Sequence, residues 1–147
     1  MLILTDTNVL LRSLYPDHPH HSAAENALTV LRLRGETLCV APQNLIEFWA
    51  VATRPRKLNG LGMTTAEAET EITSIRQLFR VLPYTPAVLE AWQGIVTRYG
   101  VAGKQTHDAH LVAMMQVHAV TEILTFNTAD FSRFAGITAL DPALVQN

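Results

Sequence analysis

The most constraining feature of this chain is the alternation of short apolar runs with longer amphipathic segments. Apolar runs bounded by turn-forming residues are too short for helices and are typical of strands buried in a parallel sheet. Apolar residues at helical spacing predict helices at 22–34, 43–53, 66–79, 86–99 and 108–118. We predict strands at 2–4, 37–40, 81–82, 120–126 and 137–140.

Strands that alternate with helices form βαβ units, in which parallel strands are covered by helices on both faces of the sheet. The pattern therefore predicts an α/β fold with a parallel sheet between two helical layers. A chain of 147 residues can bury a sufficient core and has no room for a second domain, so we expect one domain over 1–147.

Composition excludes several classes of protein. Cys39 is the one cysteine, which rules out a disulfide framework or a paired-cysteine zinc site, so we expect a cytoplasmic protein. No apolar run approaches the roughly 20 residues that span a bilayer, so no membrane association is expected. The formal charge of −2 argues against a nucleic-acid coat that relies on bulk positive charge.

Four acidic residues occupy positions that are unusual for acids. Asp6 directly follows the first strand, Asp108 opens the last long helix, and Asp130 follows the fourth strand by a few residues. Glu47 lies in a helix that is apolar nearly all round, so we expect it to be buried, with a partner from elsewhere in the fold. If the first and fourth strands are neighbours, these acids converge where α/β sheets bind ligands.

Several carboxylates in one cleft repel one another, and a divalent cation removes that cost. Oxygen ligands favour a hard cation, Mg²⁺ first and Mn²⁺ second. Two such ions would outweigh the net charge of −2 and favour a phosphate-ester substrate. Individually, Asp6 and Asp108 could cap helices and Asp130 could stabilise a turn, so the functional interpretation depends on their joint placement.

An ordered set of motifs spans essentially the whole chain and resembles the PIN domain, in the form found in VapBC-type toxin–antitoxin pairs. The resemblance implies a Rossmann-like α/β/α three-layer fold with a central parallel sheet of four to five strands. It also implies a Mg²⁺-dependent endoribonuclease, with Mn²⁺ as a substitute ion. The motifs are Leu4-Thr5-Asp6-Thr7-Asn8, the Glu47 helix with Ala52-Thr53-Arg54-Pro55, Asn59-Gly60-Leu61-Gly62, Thr106-His107-Asp108-Ala109, and Leu124-Thr125-Phe126-Asn127-Thr128-Ala129-Asp130-Phe131.

The resemblance implies a role for each residue of this chain that matches an acidic position of the family motif. Asp6, Glu47 and Asp108 match the acidic core, with Asp6 and Asp108 as direct metal ligands and Glu47 as ligand or general base. Either Asn127 or Asp130 completes the metal shell. In such a site a metal-activated water attacks the scissile phosphate of RNA.

Other polar residues are candidates for supporting roles. Thr7, Asn8 and Thr125 can hold the acids by hydrogen bonds, although caps and turns use the same residue types. Arg54 and Lys104, like Arg56 and Lys57, are candidates for contacts with RNA phosphates, the alternative being a solvated surface.

The histidine-rich segment of His18, His20 and His21 is interrupted by Pro19 and has irregular spacing, which favours a solvated loop over a metal site. The resemblance further implies a homodimer and a small cognate antitoxin. Two other functions compete with it. A haloacid dehalogenase-type phosphatase would need Asp-x-Asp where this chain has Asp6-Thr7-Asn8, and a catalytically idle scaffold or antitoxin-binding module would have no use for a buried acidic cluster.

Overall fold

Five short strands form an all-parallel sheet in the computed structural model of the chain, which describes residues 1–146. The strand order is β3-β2-β1-β4-β5. This sheet, flanked by helices, confirms the predicted α/β fold class and the neighbouring positions of the first and fourth strands. The strands are β1 Leu2–Thr5, β2 Thr37–Val40, β3 Arg80–Val81, β4 Glu122–Leu124 and β5 Thr138–Leu140.

The order of the strands reverses at β1. The chain extends the sheet on one side of β1 through β2 and β3, and then returns to pair β4 with the other side of β1. Thr5, the last residue of β1, is in register with Leu124, the last residue of β4. Such a reversal opens a crevice at the carboxyl ends of the two strands, which is where ligands bind in open α/β sheets.

Helices cover both faces of the sheet. The helices are α1 Thr7–Ser13, α2 His21–Leu33, α3 Pro42–Ala52, α4 Thr65–Leu78, α5 Pro86–Tyr99 and α6 Gln105–Val117, with short 3-10 turns at Arg56–Leu58, Thr128–Phe131 and Pro142–Leu144. Successive strand residues point to opposite faces. Ile3 therefore packs with the core under α1 to α4, whereas Leu4 packs with the core under α5 and α6. Within residues 1–146, no helix is long and apolar enough to cross a bilayer.

Four predicted helices, 22–34, 43–53, 66–79 and 86–99, agree with α2 to α5 to within one residue at each end. The predicted helix 108–118 was placed too late, because α6 begins at Gln105. Asp108 therefore lies within the first turn of α6 and does not open it.

The fourth strand is shorter than the predicted segment 120–126. Ala119 has a left-handed backbone, with φ of 55°, and the Val120 amide donates to the carbonyl of Met115, so this segment completes the end of α6. Beyond Leu124, the amide of Thr125 still bonds to Leu140, after which the chain turns away. The third strand is likewise shifted from 81–82 to Arg80–Val81, and the fifth begins at Thr138, one residue later than predicted.

Candidate active site

Asp6 lies at the junction of β1 and α1, where it is the N-cap of the helix. Its Oδ1 accepts the Thr7 amide at 2.8 Å, and its Oδ2 accepts the Thr125 hydroxyl at 2.8 Å and the Asn8 side-chain amide at 3.3 Å. The residue is only 8% exposed. Asp6 is thus a helix cap, and it is also fixed from the neighbouring strand.

Asn8 and Thr125 tie the loop after β4 to the end of β1. Asn8 Nδ2 donates to Thr125 Oγ1 at 3.2 Å, and Asn8 Oδ1 accepts the Phe126 amide at 3.2 Å. Thr125 Oγ1 also accepts the Asn127 amide at 3.0 Å. The polar residues singled out in the sequence beside Asp6 therefore form one network across the crevice.

Glu47 reaches the same network from α3. Its Oε2 accepts the Thr7 hydroxyl at 2.9 Å, and its Oε1 accepts Gln43 Nε2 at 2.7 Å. Asn44 fixes the Thr7 hydroxyl in turn, because Asn44 Nδ2 donates to it at 3.2 Å while Asn44 Oδ1 accepts the Ala41 amide. Both carboxylate oxygens of Glu47 are thus oriented by neutral donors.

The expectation that Glu47 is buried in a helix covered on most faces was wrong. Helix α3 buries Asn44, Phe48 and Ala52, and Glu47 itself is only partly buried. Ile46 is 71% exposed. Ile46 and Trp49 line open grooves on the outer side of α3, so their hydrophobicity did not indicate burial in the core.

A further chain of hydrogen bonds extends from Glu47 to the surface and was not foreseen from the sequence. Gln43 Nε2 bonds to Glu47, so its Oε1 is the acceptor for His110 Nδ1 at 2.6 Å. His110 Nε2 then accepts the hydroxyl of Tyr84 at 3.1 Å. Burial, followed by the nearby charge of His107, lowers the pKa of His110, in keeping with a neutral ring. The available signal was the position of Gln43 one turn before Glu47.

Asp108 on α6 and Asp130 in the 3-10 turn Thr128–Phe131 complete the acidic cluster. Desolvation, followed by the negative charges of Asp130, Asp6 and Glu47, raises the pKa of Asp108 to about 6. Desolvation also raises the pKa of Asp6, reinforced by Glu47 and Asp130 and opposed by its hydrogen bonds. The fold therefore brings the four acids close enough for mutual repulsion.

In the part of the chain described by the structure, the charge of His107 opposes the rise in the pKa of Asp108, but it is the smallest of the influences on that group. Within 1–146, no lysine or arginine forms an ion pair with any of the four carboxylates. Nor do any three acidic, histidine or cysteine side chains in this range stand close enough to form a complete metal cage. A Mg²⁺ ion needs no such cage, since it is usually held by one or two carboxylates together with waters and substrate phosphates. The donor set fits that ion.

The remaining predicted residues lie at different distances from the cluster. Asp130 interacts electrostatically with Asp6 and Asp108, whereas Asn127 is exposed and its side chain does not cap the turn that it precedes. Lys104 is exposed at the start of α6, one turn before Asp108. Arg54 is also exposed but follows the end of α3, about 10 Å along the helix axis from Glu47.

An open groove of about 650 Å³ adjoins Glu47. Its walls are mainly apolar, and Ile46, Leu89 and Tyr84 are each more than half exposed. Trp92 also lines it and donates its indole N–H to the Thr106 carbonyl at 2.9 Å. The groove thus connects an exposed apolar surface with the acidic cluster.

The sequence of the chain matches the family model of the PIN domain over residues 3–137. The chain belongs to the PIN domain family. Its acidic cluster therefore lies at the switch point of a PIN domain sheet. No curated protein sequence is significantly similar to this PIN domain.

Solved structures share the fold at low sequence identity. VapBC2 from Rickettsia felis, bound to a DNA fragment from its promoter, has a TM-score of 0.70 and 12% identity over 95% of this chain and 98% of that one. FitAcB from Neisseria gonorrhoeae has a TM-score of 0.69 and 18% identity over 99% and 100%. VapC20 from Mycobacterium tuberculosis, a toxin that cleaves the sarcin-ricin loop, has a TM-score of 0.64 and 16% identity over 92% and 98%.

Proposed function

We propose that this PIN domain is a metal-dependent endoribonuclease and the toxin of a toxin–antitoxin pair. The observation that carries the proposal is the cluster of Asp6, Glu47, Asp108 and Asp130 at the switch point of the sheet, where burial and mutual repulsion raise the pKa values of Asp6 and Asp108. Such a cluster is costly for the folded chain unless a cation joins it. Membership of the PIN family supports the same conclusion.

Asp6 and Asp108 are the proposed direct ligands of Mg²⁺, with Mn²⁺ as a substitute. Asp130 is favoured over Asn127 to complete the site, because it is charged and interacts with both ligands. When bound, the ion neutralises the scissile phosphate and acidifies a coordinated water.

The side chains of the protein orient the proposed metal ligand, accept a proton and contact the RNA. Thr125, Asn8 and the Thr7 amide hold the Asp6 carboxylate in one orientation. Glu47 accepts one hydrogen bond at each oxygen and keeps further lone pairs, so it can accept a proton from the attacking water. Lys104 and Arg54 are the proposed cationic contacts for RNA phosphates.

The proposed partners are an RNA substrate, a cognate antitoxin and a second copy of the chain, in the cytoplasm. The fold is shared with proteins solved as toxin–antitoxin complexes, including one from Klebsiella pneumoniae at 19% identity and a TM-score of 0.64. The apolar groove beside Glu47 supports a protein partner, because exposed apolar surface of this kind is typical of interaction sites.

The test is cleavage of a mixed pool of transfer, ribosomal and messenger RNA by the purified protein in Mg²⁺ or Mn²⁺. We expect discrete products that EDTA abolishes, and we expect Asp6→Asn and Asp108→Asn to be inactive while keeping the wild-type circular dichroism spectrum. Full cleavage by either variant would refute the site. A folded wild-type protein that neither binds Mn²⁺ nor cleaves the pool would favour the idle interaction module.

A further inference from the structure

A row of four aromatic rings begins at Phe126, in the loop after β4, and continues along the segment between α1 and α2. The rings of His20 and Phe126 are stacked, with centroids 4.6 Å apart and planes 14° apart. His18 lies 5.3 Å from His20, and Tyr15 lies 5.9 Å from His18. His20 is exposed to solvent, while Phe126 is partly buried against the core beneath it.

The segment that carries these rings is held rigidly by its own hydrogen bonds. His18 Nδ1 accepts the His20 amide at 3.0 Å, and His21 Nδ1 bonds to the Arg12 carbonyl at 2.9 Å. The amides of His18 and His21 complete turns to the carbonyls of Tyr15 and His18. These bonds engage the Nδ1 atom of each ring, and residues 1–146 contain no group of three His, Cys, Asp or Glu side chains that could hold a metal ion.

The row begins beside the site of chemistry. The Phe126 amide donates to Asn8 Oδ1, and Asn8 Nδ2 donates to Asp6 Oδ2. The ring pair is therefore anchored two hydrogen bonds away from a proposed metal ligand. Phe126 follows the carboxyl end of β4, so the stack lies at the same end of the sheet as Asp6.

We propose that His20, stacked on Phe126, is a platform for an unpaired nucleobase of the RNA substrate, next to the scissile phosphate. This inference rests on the proposed nuclease function. Proteins that read single-stranded RNA stack its bases on Phe, Tyr, Trp and His side chains, and such stacking is tolerant of sequence because every base has a π face. Burial and the charges of Arg12 and His20 lower the pKa of His18, so a neutral ring continues the row beyond His20.

The test separates bases from phosphates. Fluorescence anisotropy compares a labelled single-stranded RNA dodecamer of mixed sequence with an abasic dodecamer of the same backbone. All proteins carry Asp108→Asn, which the proposed function makes inactive, so the probe stays intact in Mg²⁺. We expect His20→Ala to weaken binding of the base-containing RNA at least about fivefold and to leave binding of the abasic RNA unchanged.

Two further variants keep the result interpretable. His20→Phe retains a ring over Phe126 and should restore the affinity, and Thr29→Ala, an exposed position on α2, should change neither probe. The side chain of His20 makes no capping bond to α2, so we expect His20→Ala to stay folded, with a small decrease in melting temperature from the loss of the stack on Phe126.

Equal loss of both probes, or unchanged binding of both in His20→Ala, would overturn the stacking proposal, and unchanged binding would leave the rings as a surface for a protein partner. Absence of binding of both RNAs by the parent variant would contradict the proposed RNA substrate, on which the stacking proposal rests. Cleavage of the probe by the Asp108→Asn parent would instead contradict the proposed function, independently of the His20 comparison.

Discussion

Replacement of Asp108 by Asn in the metal-free protein should stabilise the fold at neutral pH and have little effect in acid. Burial and the charges of Asp130, Asp6 and Glu47 raise the pKa of Asp108 from 3.8 to about 6. The folded carboxyl group therefore keeps its proton to a higher pH than the unfolded one. Its stabilising contribution is fully present below about pH 3.8 and is lost as the pH rises through about 6.

The magnitude follows from the difference between the two pKa values of Asp108. At 1.36 kcal/mol for each pKa unit, the rise from 3.8 to about 6 corresponds to about 3 kcal/mol. Solvent around this half-buried group reduces that figure. We therefore expect the free energy of unfolding of Asp108→Asn, relative to that of the wild type, to increase by about 1–3 kcal/mol as the pH rises from about 4 to about 7.5. For a chain of this size, that gain corresponds to a rise in melting temperature of several degrees.

The assay is urea denaturation followed by circular dichroism in EDTA at both pH values. A second series with Mn²⁺ at neutral pH should remove most of the advantage of Asp108→Asn, since a ligand at about 100 times its dissociation constant stabilises the wild type by about 2.7 kcal/mol. Asparagine lacks the charge that holds the ion and should gain much less. An Asp108→Asn effect that is the same at both pH values would refute the electrostatic argument.

Three other substitutions test separate parts of the site. Thr125→Val removes the fully buried hydroxyl that donates to Asp6. We expect the free energy of unfolding to fall by about 1–2 kcal/mol and Mn²⁺ binding, measured by calorimetry, to weaken. Wild-type Mn²⁺ affinity would show that Thr125 does not orient Asp6 for the metal. Gln43→Met keeps the size of the side chain but loses its bonds to Glu47 and His110; we expect kcat to fall about tenfold with little change in KM, and an unchanged kcat would contradict it. Lys104→Ala should raise KM for RNA and reduce the slope of log KM against log salt by about one, and an unaltered slope would remove Lys104 from the RNA contacts.

The strand and helix pattern was predictable from the sequence because it depends on local signals. One such local signal is the capping box at the start of α4, in which Thr64 and Glu67 exchange reciprocal hydrogen bonds. The position of Asp6 at the end of a strand was also readable, because the apolar run stops there. The start of α6 was not, since the Gly103-Lys104-Gln105-Thr106 segment resembles a turn and Gln105 carries no strong signal.

Features that depend on distant contacts could not be predicted. The bond between Gln43 and His110 joins residues 67 positions apart, and the stack of His20 on Phe126 joins a loop to the end of β4. The exposure of Ile46 was misjudged for a related reason. Hydrophobicity marks surfaces that meet other molecules as well as cores, and the sequence does not distinguish them.

The central claim is that the acidic cluster binds a divalent cation, and calorimetric titration of Mn²⁺ into metal-free protein tests it most directly. We predict saturable binding to the wild type near neutral pH and loss of that binding in Asp6→Asn, with both proteins folded by circular dichroism. Folded wild-type protein that binds no Mn²⁺, or an Asp6→Asn variant that binds it equally well, would contradict the claim.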